Sequence, residues 1–157
     1  MLTVHQPRIF SRNLVLYDGS SVAGEIRLSA WTGSATIHVG DTSYSAIRSG
    51  WFRNDYSLEK DGVEIMTAKQ IGFWSPEYQI ETGSGSFTMR RKQGWFETGF
   101  ELLDGNSPVG SVTRTGVLRT TTTAEFHPQI DRVLQAFVVW IANVRWQQDQ
   151  SAAAAAG

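Results

Sequence analysis

The stretch from Pro128 to Gln148, PQIDRVLQAFVVWIANVRWQQ, is the part of the chain that leaves the fewest choices. At about 100° per residue, Val133, Phe137 and Val144 fall on one side of a helix and Leu134, Val138 and Ile141 on the next. Ala136, Val139, Trp140 and Ala142 close the circle. A helix that is apolar all round has to be enclosed. A bilayer would need about 20 mainly apolar residues; here the unbroken run is Ala136 to Ala142, between Gln135 and Asn143, with Arg132 and Arg145 beyond. That is too short for a tail anchor and right for a core helix over 128–148. Pro128 suits a first helical turn, and Asp131 and Arg145 suit the two ends of the helix dipole.

Everything before this helix reads as short strands, so the strands must form the enclosure. Asp-Gly, the strongest short hairpin signal, occurs at Asp18-Gly19, Asp61-Gly62 and Asp104-Gly105, every 43 residues. A similar phrase surrounds each: NLVLYDGSSVAGEIRL, DYSLEKDGVEIMTAK and GFELLDGNSPVGSVTR. Further strands are expected over 23–28, 35–39, 43–48, 77–81, 87–91 and 119–126, for roughly 10 to 12 in all. A period of 43 residues also occurs in propeller blades, but three units and a helix do not close a propeller of typically four or more blades. Eight strands leave a barrel interior that side chains alone fill. A lumen for a helix of about 10 Å diameter needs more, and 10 to 12 supply it. The expected fold is mainly β, an antiparallel barrel enclosing a C-terminal hydrophobic helix. A single domain takes in residues 1–150, followed by a disordered Ala-rich tail over 151–157.

Hairpins of this kind closing around a C-terminal apolar helix resemble the tubby C-terminal superfamily, with the phospholipid scramblases and LURP-one-related proteins. The residues that carry the likeness are Tyr56-Ser57-Leu58 through Asp61-Gly62 to Ile65 and Ala68-Lys69, then Tyr78-Gln79-Ile80, Phe87 to Lys92, Phe100-Glu101-Leu102, and Phe137 to Val144. The chain is shorter than tubby, lacks the scramblase cysteine cluster and has no residue-by-residue match to tubby's phosphoinositide pocket. The resemblance implies a non-enzymatic module that binds phospholipid or a membrane surface. The alternative is an enzyme or small-ligand-binding protein with a pocket at a barrel mouth.

Few residues suggest chemistry. Cysteine is absent, which removes disulfides and thiol catalysis and fits a reducing, cytoplasmic setting. No export signal is read in MLTVHQPRIF. His5, His38 and His127 have no metal-ligand spacing, and no cofactor or nucleophile motif occurs. No catalytic residue, metal or cofactor is therefore expected. With a net charge of -1, nucleic acid is not an expected partner, and any anionic partner must be met by a local patch. The one basic run is Arg90-Arg91-Lys92. Alternation with Phe87 and Met89 points Arg90 and Lys92 outward and leaves Arg91 on the core side at a strand end. With Arg114 and Arg119 these are the candidate headgroup-binding residues, peripheral to a membrane. The plain alternative pairs Arg90 with Glu97 on the next strand. Trp140 and Trp146 are expected in the core, and Trp51, Trp74 and Trp95 at strand starts, as barrel-end closures or as a membrane-interface belt.

Overall fold

In the computed structural model, which describes residues 1–6, 12–29, 33–49, 54–72, 77–93, 98–116 and 121–157, alternating inward and outward residues build twelve strands. They are β1 (Leu2–His5), β2 (Asn13–Asp18), β3 (Ser21–Leu28), β4 (Ala35–Val39), β5 (Thr42–Ser49), β6 (Asp55–Lys60), β7 (Val63–Ile71), β8 (Glu77–Thr82), β9 (Ser86–Gln93), β10 (Thr98–Asp104), β11 (Ser107–Thr115) and β12 (Thr121–Phe126). Each pairs antiparallel with its neighbour in sequence, and β1 pairs with β12 to close the barrel. This excludes the propeller. Counting from β2, the 43-residue repeat supplies four strands per unit. The third unit is completed by β1, which the sequence reading missed because Leu2–His5 is short and carries no turn signal.

The three repeated phrases form the hairpins β2–β3, β6–β7 and β10–β11, and each has a register shift beside its turn. Asp61 and Gly62 both have positive φ, 53° and 77°, the pair of left-handed residues that a type I′ turn demands. At the other two hairpins the aspartate ends the strand, and Gly19 and Gly105 take the positive φ.

Helix α1 (Arg132–Ala156) fills the lumen. Every residue from Leu134 to Ala142 is buried, which for a helix requires surroundings on all sides. Its core partners come from the inward rows of the wall: Leu16, Ile26, Ile37, Leu58, Ile80, Met89, Leu102 and Val112 among others. Trp140 stacks on Phe137 (5.9 Å between centroids) and meets Tyr56 edge-on (5.4 Å); Trp146 packs on Phe100 (5.8 Å).

Both helix ends differ from the expected 128–148. The Asp131 carboxylate accepts a hydrogen bond from the Val133 N–H (2.7 Å), so Asp131 is the N-cap and Pro128-Gln129 form a turn before it. A capping carboxylate outcompetes a proline start because it satisfies a donor that proline only fails to have. At the far end the helix continues through the Ala-rich tail expected to be disordered, with Ser151 to Ala156 exposed; alanine is the best helix former and simply propagates an existing helix. The 25 residues span about 37 Å, longer than the roughly 23 Å height of a seven-residue strand. The last turns therefore stand clear of the barrel.

Of Arg132, Gln135 and Asn143 on the helix, the first two find partners. The Gln135 amide donates to the Ile130 carbonyl (2.7 Å), and Arg132 pairs with Asp18. Asn143 faces a small cavity of about 40 Å³ beside Gln6, Arg114 and Thr122 rather than aliphatic side chains alone.

Candidate functional site: the basic mouth of the barrel

An all-antiparallel meander around a helix has two unlike mouths. At one, the turn mouth, lie the tight connections β2–β3, β4–β5, β6–β7, β8–β9 and β10–β11, and the start of α1. At the other, the helix-exit mouth, the odd-numbered strands end, the even-numbered strands begin, and α1 leaves.

Charge is sorted between these ends. Asp18, Asp61 and Asp104 occupy or adjoin the hairpin turns, with Asp41, Glu64 and Glu81 close by, then Glu125 and the Asp131 cap. Among the described residues the cationic side chains of that end are Lys60 and Arg132, and the Met1 ammonium lies 4.0 Å from Asp18. The helix-exit half carries Arg12 just before β2, Arg27, Arg48 and Lys69 on β3, β5 and β7, then Arg90, Arg91, Lys92 and Arg114, with Arg145 on the helix. Its described acids are Glu25, Asp55, Glu77, Glu101 and Asp149, of which Glu25 pairs with Arg27 and Glu101 with Arg90, so cations still outnumber acids there. The helix dipole opposes this arrangement, its positive end among the acids, and so lowers the cost of holding it.

The expected site residues do not form one outer patch. Arg90 is on the outer wall and bonds Glu101 through Nε (3.0 Å) and Nη2 (2.8 Å). Its partner in the register is Glu101 rather than Glu97, which lies outside the described residues, as do Arg119 and Trp51, Trp74 and Trp95. Lys92 is exposed on the same wall. Arg91 turns inward and pairs with Asp149 on the projecting helix. Arg114, also inward, holds its guanidinium 5.7 Å from the Trp146 ring centroid, and burial lowers its pKa.

Two inward arginines were not recognised from sequence. Tyr44, Ala46 and Arg48 share the inner face of β5, so strand alternation alone could have placed Arg48 at the mouth's inner rim. Arg145, read as a partner of the helix dipole, lies well before the helix end and packs among the ends of the strands. Arg48 Nη2 donates to Asn54 Oδ1 (2.8 Å), the Gln148 amide donates to the same oxygen (3.4 Å), and Arg145 Nη1 donates to Gln148 Oε1 (2.6 Å). A cavity of about 460 Å³ opens beside this chain of amides, lined in part by Arg48, Asn54, Gln147, Gln148, Ser29 and Ser34. A second, more apolar cavity of about 590 Å³ lies at the turn mouth between Met66, Phe87, Ile130 and Leu134.

Such an arrangement can hold an anion. His38 Nδ1 is hydrogen-bonded to Ser43 (2.8 Å), and no group of metal-ligating side chains gathers among the described residues. No helix is long and apolar enough to cross a membrane among the described residues. The fold and site define a closed twelve-strand barrel plugged by its own C-terminal helix, with an arginine-rich mouth. No protein-family model, curated protein or solved structure matches the chain.

Proposed function

We propose that this protein is a non-enzymatic binding module that seats the helix-exit mouth of its barrel on an anionic phospholipid surface, peripheral to a cytoplasmic membrane face. The observation that carries the reading is the sorting of charge along the barrel axis. A chain of net charge -1 has no overall attraction to an anionic leaflet, yet a separated distribution orients it, and each cation near the surface contributes about 1 kcal/mol. The helix filling the lumen also argues against a central substrate cavity.

Co-sedimentation with vesicles tests this. The protein is expected to bind phosphatidylserine-containing vesicles but not phosphatidylcholine alone, and to lose binding as salt rises past a Debye length of about 8 Å. Arg90→Glu with Lys92→Glu should abolish binding while the melting temperature stays nearly constant, since exposed ion pairs contribute about 0–1 kcal/mol. Lys60→Glu, the same charge change at the opposite mouth, should leave binding intact. Failure to bind anionic vesicles at low salt, or equal sensitivity at both mouths, refutes the orientation.

A further inference from the structure

A helix set off the axis of a barrel leaves a crescent of space on the far side, which side chains must fill. Helix α1 runs nearest the β3, β4 and β11 side of the wall. Across the lumen, in the half nearer the helix exit, the buried rings of Tyr56 and Tyr78 on β6 and β8 fill that crescent and pack with Trp140. Toward the turn mouth the filling is incomplete. There the half-buried Tyr44, Met66 and Phe87 on the wall and Ile130, Val133 and Leu134 at the start of the helix enclose a cavity of about 590 Å³. Its charged lining residues have one sign: they are Glu64 and Asp131, and neither Lys60 nor Arg132 lines it. Arg132 is already paired with Asp18. Asp131 uses one oxygen to cap the Val133 N–H (2.7 Å), and the Glu64 carboxylate forms no ion pair among the described residues. The Thr82 and Ser84 hydroxyls on the rim hydrogen-bond to each other, and Thr82 also holds the β8–β9 turn.

We propose that this cavity binds a small primary amine with an apolar body, whose chain lies between the β7–β9 wall and the start of α1 and whose ammonium meets Glu64 and Asp131. The size is that of sites for small ligands, on the order of 300–1,000 Å³, and an apolar lining with a few polar groups is their usual composition. The sign follows from the lining. Two carboxylates and no lining cation attract an ammonium and disfavour a carboxylate on the same chain. Tyr44 and Phe87 add aromatic rings, a second kind of group that attracts an ammonium. The helix start contributes a partial positive charge, about half an elementary charge, which the Asp131 cap offsets, so the Glu64 charge is left to the ligand. This cavity is at the mouth opposite the one assigned to the membrane, and it stands or falls independently of vesicle binding.

The test titrates the full chain with octylamine, octanol and octanoate, which share a chain and differ in the head group. The three methionines report position by their methyl resonances: Met66 lines the cavity, Met89 is buried in the core and Met1 is exposed. Octylamine is expected to shift Met66 far more than Met89 or Met1. Its affinity should exceed that of octanol by about fivefold, the upper range for an exposed ion pair, with octanoate the weakest. Each methylene added to the amine should tighten binding by up to about fourfold. Glu64→Gln, at an exposed side chain, should bring the amine most of the way down to octanol at an unchanged melting temperature. Val133→Phe, which sets a ring into the cavity, should weaken all three ligands, with an unshifted Met89 resonance confirming the fold. Equal affinity for amine and alcohol, a preference for the amine unchanged by Glu64→Gln, or a Met66 shift no larger than that of Met1 overturns the site.

Discussion

Ending the chain after His127 should abolish folding instead of leaving an emptied barrel. The segment removed buries Leu134, Phe137, Val138, Val139, Trp140, Ile141, Val144 and Trp146. At about 1.5–3 kcal/mol per large apolar side chain, even half of these exceed or consume a typical domain stability of about 5–15 kcal/mol. The wall suffers as well, since Ile26, Ile37, Leu58, Ile80 and Met89, each fully buried, would line a wet lumen. A graded version separates packing from chain length: Phe137→Ala, at a side chain with no exposure, should cost about 3–5 kcal/mol and lower the melting temperature by roughly 6–20 °C. Urea unfolding followed by circular dichroism and tryptophan fluorescence measures both. A fragment of residues 1–127 that unfolds cooperatively, or a Phe137→Ala protein as stable as the parent, would show that the barrel stands without its plug.

Three further outcomes follow from individual residues. Asp131→Ala removes the side chain that caps the Val133 N–H and should lower stability by about 0.5–2 kcal/mol, seen as an earlier urea midpoint at unchanged slope. Gly110→Ala would set a Cβ 2.3 Å from Cδ1 of Phe126, so that ring must move; an overpacking loss of about 1–3 kcal/mol is expected, against no measurable change for alanine at the open Gly83. The Asp18 carboxyl is held below the usual range by its hydrogen bond and charge attraction to Arg132. Its folded pKa being depressed, its contribution is present above the unfolded value near 3.8 and fades as pH falls through the folded value. Asp18→Asn should therefore flatten the acid limb of a stability profile below about pH 4 and leave the profile near neutral pH with the same slope.

The all-round apolar run from Val133 to Val144 required an enclosure, and the repeat of Asp-Gly turns showed that strands would provide it. Strand number, inward and outward faces, and the burial of Trp140 and Trp146 were all readable because each depends on local periodicity and on one size argument. Closure by β1 was not readable, since pairing of Leu2 with Ala124 joins residues at opposite ends of the chain and leaves no local mark. The site divides in the same way. The basic run 90–92 stood out by composition, and alternation turned Arg91 inward correctly. What composition could not show is that Arg90 meets Glu101 and not Glu97, because register is set by the whole sheet. Nor could it bring together Arg48 and Arg145, 97 residues apart, through Asn54 and Gln148, or sort the charges of a nearly neutral chain between two mouths. A strand's periodicity decides which face a side chain takes; only closing the barrel around the helix decides which end of the molecule that face adjoins and which charges it must share it with.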